Sequence, residues 1–391
     1  MEIDYNRVAH EIFVYRMPRY RNRTFKHTHT HTKQTKTTKT TRQATFGANR
    51  LGYISLEQNE YTASLIHFAT TYYSYIYVIT PLIFLGVFVR WLMKPIIVAS
   101  NLRERYIETT YYDPRSNRNK TFPTVYDPAS KYLSVVVPAY NEEARIAYML
   151  DEALRYLVAR SEASSKFTWE IIVVDDGSVD KTICVVRDYV TRYGSDRIRL
   201  LRLTRNLGKG GAVRKGMMCT RGQYLLMADA DGATRFQDLE QLEVVMGKLC
   251  RSNLEKYGIA VGSRVQIGDE TKAERTCFRQ VLQYGFHLAV STLCVRGVQD
   301  TQCGFKMFSR ASARRLFPTQ RIFRWAFDVE LLFLAQRMMD MPIEEVPVNW
   351  VEIDGSKVNI ILDSISMLRD MFIIRVFYGC KIWQINRGMR Q

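Results

Sequence analysis

Asp229 and Asp231 stand one residue apart at the end of an apolar run, Tyr224-Leu-Leu-Met-Ala-Asp-Ala-Asp-Gly232. The run reads as a short buried strand that Gly232 terminates. Side chains alternate along an extended strand, so the two carboxylates can point the same way. Strand carboxyl ends are where open α/β sheets bind ligands. A hard divalent cation such as Mg²⁺ takes few carboxylates and fills its shell with water and phosphate oxygens. The pair therefore suits a cation-assisted nucleotide-diphosphate site. Two solvated turn acids after a strand would look the same locally, so the residues upstream carry the distinction.

Those residues form a strand–helix alternation. Residues 133–137 read as a strand ending at Pro138-Ala-Tyr-Asn-Glu142, followed by a helix over 142–160 with Ile146, Met149, Leu150, Leu154 and Leu157 on one face. Residues 170–174 form a second strand, ending at Asp175-Asp-Gly-Ser178, with Asp180 near the start of the next helix. Residues 198–203 form a third strand, and Asn206-Leu-Gly-Lys-Gly-Gly-Ala212 then opens a helix to about Thr220. The spacing predicts an α/β fold: a doubly wound, mostly parallel sheet with right-handed crossovers and helices on both faces. Glu142, Asp175 with Asp176, and Asp229 with Asp231 then fall on one rim.

Other segments can add to that rim. The Gly208-Lys-Gly-Gly-Ala loop lacks the Gly-x-Gly-x-x-Gly spacing after the first strand, and no Walker A sequence occurs. Its glycines permit close backbone approach, with Lys209 facing a phosphate; an ordinary helix start is the alternative. Arg264 follows a short strand at 259–261 and suits bidentate contact with diphosphate oxygens. Asp300-Thr-Gln-Cys-Gly-Phe-Lys306 sets an acid beside polar residues and a glycine. Arg324-Trp-Ala-Phe-Asp-Val-Glu330 opens an apolar helix, where an aromatic can stack on a sugar and acids can bind hydroxyls. Trp325 and Phe327 serve a core equally well.

The appendages differ in character. The chain has 391 residues and a net charge of +17, concentrated in residues 17–59 and 357–391. Such ends suit phospholipid headgroups or nucleic acid. Residues 1–60 are rich in Thr, His and Lys and read as a disordered tail. Residues 61–89 contain no Asp, Glu, Lys or Arg, long enough for a membrane span. Tyr72, Tyr73, Tyr75 and Tyr77 crowd one end, and Arg90, Trp91 and Lys94 close the other, giving a transmembrane helix and anchor over 61–98. A buried soluble helix is the alternative. Residues 99–131 read as a polar linker, 132–357 as the catalytic domain, and 358–391 as an amphipathic helix on a membrane surface, with a helix that closes the core as the alternative. The seven cysteines include no Cys-x-x-Cys, against a zinc site or a disulfide framework.

Pro138-Ala-Tyr-Asn-Glu142, Val173-Val-Asp-Asp-Gly-Ser178 and Ala228-Asp-Ala-Asp-Gly232 resemble the inverting family 2 glycosyltransferases. The Asp300–Lys306 stretch, Arg324–Glu330, and Asn349-Trp to Gly355-Ser-Lys357 resemble the dolichyl-phosphate β-glucosyltransferase family within it. The resemblance spans about 132–357. It implies a GT-A fold and inverting transfer of glucose from UDP-glucose to dolichyl phosphate, for lipid-linked oligosaccharide assembly, at the cytosolic face of the endoplasmic reticulum membrane. It implies that Pro138, Tyr140, Glu142, Val174 and Asp176 surround the uridine. Asp229, Ala230 and Asp231 would hold the ribose–diphosphate and its Mg²⁺ or Mn²⁺, with Asp231 essential to catalysis. Arg264 would face donor phosphates, Lys357 and Arg324 the acceptor phosphate, and Asp300 stands where the family has a candidate base.

The acceptor is a phosphate monoester, largely anionic near neutral pH, so a strong base is dispensable and charge on departing UDP is the harder problem. A mannosyltransferase using GDP-mannose would keep the same acidic motifs. A processive polysaccharide synthase would carry Gln-x-x-Arg-Trp, whereas Gln320-Arg-Ile-Phe-Arg-Trp325 is one residue too long. Nucleic acid is not an expected partner, because acid-lined strand ends repel a polyanion; membrane lipid is.

Overall fold

The computed structural model describes residues 40–103, 108–251, 253, 255–264, 285–286, 288–353, 355 and 360–385. The chain divides into two compact units, Met1–Phe84 and Leu85–Gln391. A helix, α1, covers Thr40–Arg103. Within it Asn59–Ile96 is long and apolar enough to cross a membrane, and none of its most apolar window is buried against protein. Residues 40–58 are helical, where the sequence reads as a disordered tail; residues 1–39 lie outside the described residues. The helix also runs through Pro81 unbroken.

The second unit is built on seven strands: β3 Lys131–Ala139, β4 Trp169–Asp175, β5 Ile198–Arg202, β6 Gly222–Met227, β7 Ile259–Ser263, β8 Lys306–Ser309 and β9 Ile343–Pro347. Their order across the sheet is β5-β4-β3-β6-β8-β7-β9. The sheet is mixed but mostly parallel: β8 alone runs against its neighbours. That reversal has a consequence for chemistry. In β8, Lys306 lies opposite Met227 at the carboxyl end of β6 and opposite Val261 in β7. The chain leaving β7 therefore enters β8 from the same rim, which puts 264 and 300–306 beside Asp229.

Alternating strand residues feed two cores, as the pleat requires. Val136, Ile172, Val174, Leu225, Met227, Val261 and Phe308 face one side. They pack with α4 (Lys209–Met218), α6 (Arg310–Thr319), α7 (Phe327–Phe333) and α8 (Ile360–Gly379). Val135, Val137, Ile171, Val173, Leu226, Ala260 and Met307 face the other, under α2 (Ile146–Ala163), α3 (Thr182–Tyr193) and α5 (Leu239–Cys250).

Two segments differ from their sequence reading. Within 99–131, an antiparallel hairpin of β1 (Thr110–Asp113) and β2 (Arg118–Thr121) packs on the domain rather than linking to it. Phe122 and Val125 are buried in the first core, Asp113 accepts from Ser195 Oγ at 2.7 Å, and Lys215 Nζ donates to Glu108 at 2.9 Å. Polar composition and three prolines hid these long-range partners. The helix α8 buries Met367, Met371, Ile373, Ile374 and Tyr378 in the first core. It is thus the core-closing helix of the two alternatives, yet Leu362, Ile365, Leu368 and Phe372 remain exposed on its outer side. Being apolar on both sides, it lacks the single polar face of a surface-lying helix.

Candidate active site

The rim is assembled from strand ends and held by backbone hydrogen bonds. After β3, Asn141 takes a left-handed conformation (φ 53°), turning the chain into α2. Pro138 is half-buried and Tyr140 exposed. Glu142 is paired with Arg145, Oε2 to Nη2 at 2.7 Å. At the end of β4, Asp176 is buried and accepts from the N–H groups of Leu207 (2.7 Å) and Gly208 (2.9 Å), fixing the glycine-rich loop. Burial outweighs those two bonds and pushes the Asp176 carboxyl up to about 6. Gly208 sits at φ 89°, and a Cβ there would stand 2.7 Å from the Phe323 carbonyl oxygen, so the turn into α4 needs glycine.

Lys209 is the first residue of α4. Its Nζ lies 2.7 Å from Asp229 Oδ1 and 2.9 Å from Oδ2. Burial opposes the ammonium, but Asp229, Asp328 and Asp231 outweigh it and raise the Lys209 pKa. Asp231 accepts from Ala233 N–H at 3.0 Å, and burial plus the neighbouring Asp229 charge raise its pKa. Gly232 at φ 71° ends the pair. Below Asp229 lies Gly304, where any Cβ would collide with the carboxylate. The turn carrying Gly304 is tied down by Lys306, fully buried, which donates to Cys303 O at 2.6 Å and Asp328 Oδ1 at 2.7 Å.

On the far side Arg264 and Asp300 form a bidentate pair, Nε–Oδ2 2.6 Å and Nη2–Oδ1 2.8 Å, with Arg264 N–H adding a third bond to Oδ2 at 3.0 Å. Although burial works against it, the guanidinium holds the Asp300 carboxyl below its ordinary range. Glu345 accepts from the N–H groups of Gln299 and Asp300 and fixes the loop. The guanidinium stands 5.4 Å from the Trp350 ring. Trp350 bridges to Thr234, and Asn349 Nδ2 donates to Asp238 at 3.0 Å, so the 349–350 segment lies against the residues just after Asp231.

The geometry sorts the residues singled out in the sequence. Lys209, Asp229 and Asp231 meet, as do Arg264 and Asp300. Arg324 is exposed near the Asp176 loop, its Cγ 3.1 Å from where a Gly208 Cβ would be. Val174 and Ala230 are buried, Val174 within the core, so its side chain is not available to a ligand at the rim. Asp300 is Arg264's counter-ion rather than an unengaged base. Lys357 lies outside the described residues. Sequence reasoning missed Arg145, Gly304, Lys306, Glu345, Trp350 and the counter-ion role of Asp328; all but Arg145 and Glu345 sit in the quoted motifs.

A profile of Glycosyl transferase family 2 matches residues 134–317. The dolichyl-phosphate beta-glucosyltransferase of Dictyostelium discoideum is 48% identical over 284 residues, 71% of this chain and 86% of that protein. Its Homo sapiens counterpart is 46% identical over 283 residues, 72% and 87% of the two chains. This chain belongs to the dolichyl-phosphate β-glucosyltransferase family. The member from Saccharomyces cerevisiae is 41% identical over 272 residues, 67% of this chain and 79% of its own. Among solved structures, glucosyl-3-phosphoglycerate synthase from Mycobacterium tuberculosis with Mn²⁺, UDP-glucose and phosphoglyceric acid is 20% identical, covering 67% of this chain and 84% of that one at TM-score 0.42. In this member of the family the profile match contains the Asp176, Lys209, Asp229, Asp231, Arg264 and Asp300 cluster, while Asp328 and Trp350 complete the rim from beyond it.

Proposed function

We propose that this chain transfers glucose from UDP-glucose to dolichyl phosphate, with inversion, to give dolichyl β-D-glucosyl phosphate. The observation that carries the reading is the 48% identity over 86% of a dolichyl-phosphate beta-glucosyltransferase. Asp176 and the loop it fixes, with Pro138, Tyr140 and Glu142, would seat the uridine. Lys209 and Arg264 would face the donor phosphates, and Arg324 and Lys357 the acceptor phosphate.

The donor set fits a divalent cation. Asp229 and Asp231 stand at one strand end, where burial first and the neighbouring Asp229 charge second raise the pKa of Asp231, and a cation would relieve both costs. Among the described residues no group of three His, Cys, Asp or Glu can hold a metal, so phosphate oxygens and water would complete the shell. When bound, Mg²⁺ or Mn²⁺ supplies Lewis-acid neutralisation of the departing diphosphate. An acceptor phosphate oxygen attacks glucose C1 opposite the leaving UDP. That oxygen is already anionic, so no residue must remove a proton, consistent with Asp300 being committed to Arg264. Arg264 instead offers its remaining N–H groups to anionic oxygens.

The apolar stretch in α1 would anchor the enzyme in the endoplasmic reticulum membrane, with 132–357 as the cytosolic catalytic domain and the outer face of α8 toward the leaflet. The test incubates the full-length chain in micelles with labelled UDP-glucose or GDP-mannose, with and without dolichyl phosphate, in Mn²⁺. Label should enter the lipid fraction only with UDP-glucose and dolichyl phosphate, and Asp231→Ala should lower transfer by about 10²-fold or more. Transfer from GDP-mannose in its place would overturn the assignment of the donor.

A further inference from the structure

The Lys209 ammonium occupies both oxygens of Asp229, at 2.7 and 2.9 Å. A cation ligated by that carboxylate would have to share those oxygens with an ammonium, like charge against like charge in a half-buried site. Among the described carboxylates whose charge bears on the displaced ammonium, Asp231 would itself hold the cation. Asp328, the next carboxylate whose charge bears on it, already carries Lys306 at 2.7 Å. Nor does the backbone move to help, because Asp176 holds the Leu207 and Gly208 N–H groups immediately before Lys209. The exchange must therefore be a swing of one side chain, and the donor diphosphate is the new anion that can receive it.

We propose that Lys209 is a placeholder for the divalent cation, released from Asp229 to the donor diphosphate as cation and nucleotide enter, so that each binds well only with the other. The proposal rests on the donor and cation reading above. Coupling of this kind is reciprocal: whatever UDP does for the cation, the cation does for UDP. It also keeps Asp229 and Asp231 from collecting cations when no donor is present.

The test is direct binding of Mn²⁺, followed by the paramagnetic signal of free Mn²⁺, to the full-length chain in micelles with and without UDP. Wild type should bind Mn²⁺ weakly alone and on the order of 10²-fold more tightly with saturating UDP. In Lys209→Met, Mn²⁺ alone should bind about tenfold or more tighter than in wild type, and the gain from UDP should shrink in proportion. Lys209→Arg, which keeps the charge, should retain weak binding of Mn²⁺ alone. The placeholder is overturned if Lys209→Met binds Mn²⁺ alone no better than wild type, or if Lys209→Arg matches Lys209→Met. Equal Mn²⁺ affinity of wild type with and without UDP overturns it with no variant needed. Those results leave UDP binding intact; loss of UDP binding by wild type itself would remove the functional reading along with the proposal.

Discussion

Asp300 shows how a neighbour decides what a carboxylate can do. Two guanidinium nitrogens and one backbone N–H engage its oxygens, and its pKa lies below the ordinary range. A base must be able to take up a proton near the working pH. Asp300→Asn should therefore loosen Arg264 and raise the KM for UDP-glucose about tenfold or more while leaving the shape of the pH–rate profile unchanged. Disappearance of the acid limb would restore a general-base role. Asp176 is the opposite case. Its carboxyl is raised to about 6, so between about 4 and 6 the folded chain holds a proton that the unfolded chain has released. Stability from this group is thus greatest below about 4, falls as pH rises to about 6, and stays reduced above it. The melting temperature of wild type minus that of Asp176→Asn should fall between pH 4 and 7, by the equivalent of about 2–3 kcal/mol. A difference that rises with pH would contradict the sign.

At the scale of elements, strands β3, β4 and β6 were legible because each is an apolar run stopped by acids or glycine. Pairing in space was not. Lys209 and Asp229 meet because α4 and β6 reach the same rim, which no local spacing reveals. The reversed β8 escaped the sequence reading because Lys306-Met-Phe-Ser309 is short and its direction is set by where the chain re-enters. In the sequence Asp328 stands among acids suited to sugar hydroxyls, and nothing local pairs it with Lys306; buried, each is tolerable only with the other. The helix α8 was half legible: its apolar residues were evident, but not which of them face protein. Met371 is fully buried, while the next residue, Phe372, is half exposed. Met371→Ala should cost about 2–5 kcal/mol and Phe372→Ala under about 1 kcal/mol in thermal melts of the micellar enzyme. Equal losses would mean that α8 does not close the core in this register.

For the molecule as a whole, the question is which side of a membrane the rim faces. The apolar window within Asn59–Ile96 is unburied, so water is a poor surrounding for it. The helix continues through Pro81, so the apolar stretch is one uninterrupted segment rather than two short arms. The far end of the helix is docked on the domain: Leu92 and Ile96 pack on the first core, and Arg369 lies 4.9 Å from the Trp91 ring and donates to its carbonyl. If the span crosses a membrane once, the sequence before it and the catalytic domain are expected on opposite sides. The basic N-terminal residues favour the cytosol for that end, but orientation is set by charges near the span. Arg90, Lys94, Arg103 and Arg105 crowd the domain side, whereas Arg50 is the nearest upstream cation. The domain should therefore be cytosolic, where a soluble nucleotide sugar is supplied. Two sequons report the outcome: Asn22-Arg-Thr24 before the span, and Asn119-Lys-Thr121, whose asparagine is exposed on β2. Only a lumenal sequon is glycosylated, so expression in microsome-containing cells should give one mobility shift, removed by Asn22→Gln and untouched by Asn119→Gln. A shift that depends on Asn119 would put Asp229 and Asp231 in the lumen, away from the donor, and overturn the cytosolic assignment.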